Sequence, residues 1–281
     1  MMKYLSTLLL IALSLLPVLC LSQEKIPAKN VEAILYLGSG ANQPLLVGLG
    51  GSEGGNAWAG DHWKKTRDEF IANGYAFLAI GYFGCEGTPP ILDKIAIDEV
   101  HDAILAAAKD RKIDRSKIAV IGGSRGADLA LLLGSYYDDI RCVIGMSASH
   151  AVFPGHTQEF NSSCWTFEGK ELPFIPVNDE AVPFLFKRDL RGAFEAMLKD
   201  ADAEARSLIK AENINGPVLL LSGTIDDIIP AVMMGDKMMA RLKAHNFKHL
   251  YQHIIYNGGH AEPTRHFDTI IDFLNTHFLL K

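Results

Sequence analysis

Cysteine is scarce in this chain of 281 residues: there are four, and none stands in a C-x-x-C pair. A disulfide-stapled mini-fold and a zinc ribbon are thereby excluded, so the hydrophobic core must carry the stability. Excess positive charge is lacking too, with 27 Lys and Arg against 33 Asp and Glu and a formal net charge of −6. That sign argues against nucleic acid as a partner. No glycine-rich stretch ends in G-K-[ST], and no tyrosine has a lysine four residues on. Neither a P-loop nor the Tyr-x-x-x-Lys pair of a short-chain dehydrogenase is therefore present. Internal repeats, low-complexity linkers and charge blocks are absent as well. What remains, 48% hydrophobic and 21% charged residues, is the make-up of an ordinary globular chain.

Residues 1–22 read MMKYLSTLLLIALSLLPVLCLS, with one lysine, an apolar stretch of about ten residues from Leu8, and small residues Cys20 and Ser22 at −3 and −1 from Gln23. This layout predicts a secretory signal peptide. Interrupted by Ser14 and Pro17, the stretch is too short for the roughly 20 residues a bilayer span needs. The expectation is an exported protein, periplasmic or extracellular, with no membrane attachment after the segment is removed. Without Lys3 the balance becomes 26 Lys and Arg against 33 Asp and Glu. Cys85, Cys142 and Cys164 stay in the mature chain, an odd number that permits one disulfide, for which Cys142 and Cys164 are the candidates.

Short apolar runs at 31–37, 45–49, 75–80, 118–121, 142–146, 218–221 and 251–255 recur between longer amphipathic segments. Runs without polar alternation predict strands buried on both faces, as in a parallel sheet covered by helices. Ile97, Val100, Ile104, Leu105 and Ala108 keep helical spacing, and Phe267, Ile270, Ile271 and Phe273 do so near the end. The class is α/β, a mostly parallel central sheet with helices on both faces, read as one domain over 23–281. One break in the rhythm, about 149–190, carries Pro154, Pro173, Pro176 and Pro183 with Trp165, Phe167 and Phe174. An irregular segment of that length predicts a lid insertion that shapes a pocket.

The run at 118–121 leads into Gly122-Gly-Ser-Arg-Gly126, and a helix-forming segment follows. Small residues at 122 and 126 permit a tight strand-to-helix turn that lifts Ser124 above the sheet, which makes it the candidate nucleophile. After 218–221 comes Ser222-Gly-Thr-Ile-Asp-Asp-Ile-Ile-Pro230, a carboxylate at the C-terminal end of a strand. Asp226 is preferred over its neighbour Asp227, either of which could instead cap the helix beginning near Ala231. The strand at 251–255 ends in Tyr256-Asn-Gly-Gly-His260, a histidine on a loop that can reach the serine. A serine hydroxyl is a poor nucleophile at neutral pH, so His260 would take its proton and Asp226 would hold the imidazole tautomer. Glycines in Gly48-Leu-Gly-Gly-Ser-Glu-Gly-Gly55 let backbone N–H groups approach a developing oxyanion. Ser52, with Gly51 as the alternative, is the first such donor, and the residue after the nucleophile, Arg125, is the second. Among the remaining histidines, His150 and His156 open the lid segment and are candidates for substrate contact.

With these motifs in place, the chain resembles the C-terminal catalytic domain of the acyl-CoA thioesterase and bile acid-CoA:amino acid N-acyltransferase family, close to dienelactone hydrolases in the α/β-hydrolase superfamily. The matching stretches are Gly50-Gly-Ser-Glu-Gly-Gly55, Gly81-Tyr-Phe-Gly84, Gly122-Gly-Ser-Arg-Gly126, the lid phrase SCWTFEGKELPFIP at 163–176, 222–226 and Gly258-Gly-His260. The resemblance implies an α/β-hydrolase fold and the triad Ser124, Asp226 and His260, the set the motifs already point to; no metal or organic cofactor is expected. Serine at 124, where the amino-acid-conjugating transferases carry cysteine, implies water as acceptor. A short stretch alone separates Gln23 from the first apolar run, where long family members carry a β-sandwich. Export would take the protein away from the cytosolic CoA pool. The expected activity is serine hydrolysis of a small-molecule ester or thioester. The alternatives are an acyl-CoA thioesterase or acyltransferase proper, and a catalytically silent binding protein on the same fold. No signature of an oligomeric interface is readable.

Overall fold

A computed structural model of the chain describes residues 22–279. The segment expected to be a signal peptide lies outside the described residues, except for Ser22. In chain order the strands are β1 (Ser22–Ile26), β2 (Glu32–Leu37), β3 (Gln43–Leu49), β4 (Ala76–Gly81), β5 (Ile95–Ala96), β6 (Ile113–Gly123), β7 (Ile140–Met146), β8 (Trp165–Phe167), β9 (Lys170–Glu171), β10 (Val218–Gly223) and β11 (Tyr251–Tyr256). The α-helices are α1 (Asp61–Ala72), α2 (Ile97–Ala107), α3 (Arg125–Tyr136), α4 (Val182–Phe186), α5 (Leu190–Met197), α6 (Ala201–Ser207), α7 (Ala231–Ala244) and α8 (Phe267–Phe273).

Eight strands form one sheet in the order β1-β2-β4-β3-β6-β7-β10-β11. Neighbours from β4 to β11 pair in parallel, while β2 runs antiparallel to both β1 and β4. Every apolar run singled out in the sequence is one of these strands. The reason is visible in how their side chains divide. Leu45, Val47, Leu78, Ile80, Ile118, Val120, Val143, Val218 and Leu220 face one core with α2, α3 and α7. Leu46, Phe77, Ala79, Ala119, Ile121, Cys142, Ile144, Leu219 and Leu221, the alternate positions, face a second core with α1 and α8. A strand buried on both faces needs no polar alternation, and each fully buried large side chain contributes roughly 1.5–3 kcal/mol.

The expected irregular segment at 149–190 carries β8, β9 and α4, and the excursion from the sheet runs on through α5 and α6 until β10. β5, β8 and β9 form a small separate sheet. Ala151, Phe153, Ile175, Ala193, Ala196 and Met197 build a third core beneath α5, joined by Ile229 and Met234 from the sheet domain. This cap sits on its own packing, beside the C-terminal edge of the parallel strands.

The fold decides against the possible disulfide. Cys142 belongs to the core on one face of the sheet and Cys164 to the core on the other, and both are free thiols, as is Cys85. Burial pushes the Cys164 thiol up to about 12 and Cys142 higher still, so neither forms a thiolate in the folded state. A thiol reagent should therefore modify at most Cys85 in the native protein spanning 23–281 and all three after unfolding. Rapid native reaction of two or more thiols would contradict this packing.

Candidate active site

β6 ends at Gly123, and α3 begins at Arg125, so Ser124 alone makes the turn from strand to helix. Its backbone sits at φ 54° and ψ −123°, a left-handed conformation that costs a non-glycine residue about 1–3 kcal/mol. Neighbouring glycines make the turn feasible. A Cβ on Gly122 would stand 2.0 Å from the Gly126 carbonyl oxygen, and one on Gly126 would stand 2.3 Å from that of Gly50. The Ser124 N–H donates to the Met146 carbonyl at 2.8 Å, tying the turn to β7.

Two strands further along the sheet, the loop after β10 presents Asp226, which is 1% exposed. Its Oδ2 accepts from His260 Nδ1 at 2.8 Å, and its Oδ1 accepts from the N–H groups of Ile228 and Ile229 at 2.9 and 3.0 Å. Burial by itself would push this carboxyl up, but the imidazole and the two N–H groups outweigh it and hold the group below its ordinary 3.8. Asp227 is exposed, and Asp226 is the residue that meets the histidine. The His260 carbonyl accepts from Ser147 Oγ at 2.8 Å, and Ile225 N–H donates to Gly258 O at 2.9 Å, so the acid and histidine loops are laced together. Nδ1 is thus engaged, no hydrogen bond joins His260 to Ser124 among the described residues, and the two residues share the walls of two cavities.

The loop after β3 closes over the turn. Tyr82 Oη donates to the Gly50 carbonyl at 2.6 Å, and Gly55 N–H donates to Phe83 O at 2.9 Å, so this loop is held by the end of β4. Gly51 N–H donates to Glu53 Oε1 at 3.0 Å. Among the described residues the Ser52 and Arg125 N–H groups have no such partner, and both residues border the cavity that holds Ser124. The Gly51 N–H is thus engaged by Glu53, a contact no sequence pattern indicates.

The larger cavity, ≈ 600 Å³, runs from Ser124 under the cap and is walled mainly by Val177, Leu185, Leu190, Phe194, Met197 and Ile228. That is the size and apolar character of a small-molecule pocket. Arg125 and Asp128 pair at 3.2 Å in its wall, and Asp128 Oδ1 also accepts from Ser149 N–H at 2.8 Å. Burial pushes the Asp128 carboxyl up to about 6 against the pull of these donors. An acid raised above its unfolded value binds an extra proton in the folded state, so its stability contribution is lost as pH rises from 3.8 through about 6. The unfolding free energy of the wild type minus that of Asp128→Asn should accordingly fall by about 2 kcal/mol between pH 4 and 7. Denaturant titrations at the two pH values check this, and an unchanged difference would refute it.

His156 borders the larger cavity, whereas His150 is buried and turned to Glu204, with Nε2 2.6 Å from Oε1. Of the two histidines expected at substrate, only His156 is at the site. A second Ser, His, Asp chain exists in Ser222, His253 and Asp236, at 2.9 and 3.0 Å. Its ring packs against Gly235 of α7, where a Cβ would stand 2.4 Å away, and Ser222 also donates to the Ala231 carbonyl. That chain fastens α7 to the sheet. Arg191 of α5 donates to the Asp226 carbonyl at 2.8 Å, a link from cap to acid loop that the sequence does not reveal. Among the described residues no three His, Cys, Asp or Glu side chains are grouped to hold a metal ion, and no helix is long and apolar enough to cross a membrane.

The geometry has counterparts in known proteins. An acylaminoacyl peptidase of Pyrococcus horikoshii superposes with TM-score 0.64 at 12% identity, over 92% of this chain and 42% of its own. A Klebsiella pneumoniae protein of the dienelactone hydrolase type superposes with TM-score 0.60 at 13% identity, over 92% of this chain and 100% of its own. The fold is that of the α/β hydrolases. In sequence, the chain is 24% identical to the peroxisomal succinyl-coenzyme A thioesterase of Mus musculus, over 85% of this chain and 55% of that protein. It is 22% identical to acyl-coenzyme A amino acid N-acyltransferase 2 of Rattus norvegicus, over 79% of this chain and 50% of that protein. The chain spans about half the length of the curated relatives it matches. A family model matches residues 100–263, a stretch that contains the turn at Ser124, the cap, Asp226 and His260, and the chain belongs to the BAAT / acyl-CoA thioester hydrolase C-terminal family.

Proposed function

We propose that this protein hydrolyses a carboxylic ester or thioester through an acyl-enzyme on Ser124. The observation that carries the reading is an imidazole fixed by a buried carboxylate at 2.8 Å, on the rim of an apolar cavity it shares with a serine held at a strained strand-to-helix turn. Ser124 Oγ attacks the carbonyl carbon while His260 Nε2 takes the hydroxyl proton. Asp226 keeps the proton on Nδ1 and offsets the charge of the imidazolium. The oxyanion receives the N–H groups of Ser52 and Arg125. Collapse of the tetrahedral intermediate breaks the bond to the leaving oxygen or sulfur, which departs with the proton from His260. Water repeats the sequence on the acyl-enzyme and releases the acid. The cap acts as a lid, and its apolar wall fits an aliphatic or aryl acyl group.

An acyl-enzyme is the step that thioesterases and N-acyltransferases of this family can share, with water as the acceptor in the reading adopted here. A panel of p-nitrophenyl esters of rising acyl length, beside matching acyl-CoA and N-acetylcysteamine thioesters, tests it. Turnover that rises with chain length and stops on fluorophosphonate treatment is expected. Failure to turn over any member would favour a binding protein on the same fold. We also propose export after removal of 1–22; fractionation should find a chain beginning at Gln23 outside the cytoplasm, and an intact cytoplasmic chain would refute it.

A further inference from the structure

The wall of the larger cavity holds one fixed cation, the Arg125 guanidinium, and the hydrolysis above uses only the backbone N–H of that residue. Arg125 is 7% exposed, and a buried guanidinium needs acceptors for all its N–H groups. It has one among the described residues, Asp128 Oδ2, reached from Nη1 at 3.2 Å. Its Nε and Nη2 have none, and neither is sealed in protein as the unpartnered Arg67 Nε is. The open space beside them is the cavity.

The guanidinium is held in place. Phe153 and Phe194 each have their ring centre 5.6 Å from its central carbon, and Phe194 belongs to the cap wall of the cavity. Asp128 is fixed in turn by the Ser149 N–H at 2.8 Å. Four residues on from Ser124, Asp128 sits about 6 Å further along α3, so the donors lie beside the path of the acyl chain rather than at the reacting carbonyl. Methylenes laid against them would leave the N–H groups unmatched, a loss that an oxygen at the same place removes. A carboxylate fits poorly, because Asp128 already matches the Arg125 charge and a second anion would be buried without a partner. We infer that Arg125 is a specificity-determining residue, and that the preferred acyl group carries an uncharged oxygen acceptor, such as a ketone, a few carbons from the scissile carbonyl. The inference rests on the hydrolase reading above and narrows the acyl class of that same site.

The p-nitrophenyl esters of hexanoate, 5-oxohexanoate and adipate share a chain length and differ at the far end. Those of 4-oxopentanoate and 6-oxoheptanoate, each beside its own alkanoate, move the oxygen by one carbon. The wild type should favour the oxo ester over its alkanoate by about tenfold or more in kcat/KM at one of the three lengths, with the adipate half-ester the slowest of its set. Arg125→Met combined with Asp128→Asn removes the donors and leaves no lone buried charge, and it should bring that ratio to within about twofold of unity. Asp128→Asn alone keeps the donors and unmatches the cation, so the oxo preference should persist while the adipate half-ester gains about tenfold or more on hexanoate. A wild-type ratio near one at every length, a wild-type preference for adipate, or an oxo preference that survives the double variant overturns the inference while leaving hydrolysis of hexanoate intact. If no ester is cleaved and fluorophosphonate leaves Ser124 unmodified, the hydrolase reading fails and the inference falls with it.

Discussion

Asp226→Asn should lower kcat by about 10⁴ on any ester the protein cleaves, while Asp227→Asn should change it by no more than about twofold. An asparagine can keep the Ile228 and Ile229 N–H groups bonded through its carbonyl oxygen, so the loop survives. Its NH₂ then faces His260 Nδ1 and favours the tautomer with the proton on Nε2, the atom that must accept the serine proton. Lost activity with near-normal thermal stability is the signature of that inversion. Asp227 is exposed and has no part in the cluster, so an equal loss in both variants would contradict the assignment.

The serine itself gives the larger effect. Ser124→Ala should reduce kcat by on the order of 10⁶, because without an acyl-enzyme only binding and the oxyanion donors remain. The strand-to-helix turn adds a stability test. Alanine inherits the left-handed backbone at φ 54°, whereas glycine adopts it without penalty. Ser124→Gly should therefore be more stable than Ser124→Ala by about 1 kcal/mol, the reverse of the usual order in a helix. If alanine proves the more stable, the turn is not strained as described.

The central strands were legible because burial on both faces leaves an uninterrupted apolar run, and the two cores on either side of the sheet bear that out residue by residue. β1 was not, since SQEKI at the sheet edge exposes four of its five residues and is held by backbone pairing to β2 rather than by its side chains. The cap helices also escaped. They are short, the longest, α5, running over eight residues, and Ala193, Ala196 and Ala203 bury side chains too small to stand out as an apolar run. At the site, Ser124, Asp226 and His260 were named from motifs because each follows a strand end by a few residues, where the fold builds its chemistry. Glu53 and Arg191 act through one backbone contact each, to Gly51 N–H and the Asp226 carbonyl, and such contacts leave no trace in residue spacing. Whether Cys142 and Cys164 pair was open in the sequence for a related reason: proximity along the chain says nothing about which side of a sheet a thiol faces, and the fold puts the two on opposite sides.

Mass spectrometry of the fluorophosphonate-treated protein tests the central claim most directly, by locating the covalent adduct after proteolysis. The account predicts a single phosphonylated residue, Ser124, with no adduct in Ser124→Ala and slowed labelling in Asp226→Asn. An adduct on another residue, or equal labelling of wild type and Ser124→Ala, would contradict it.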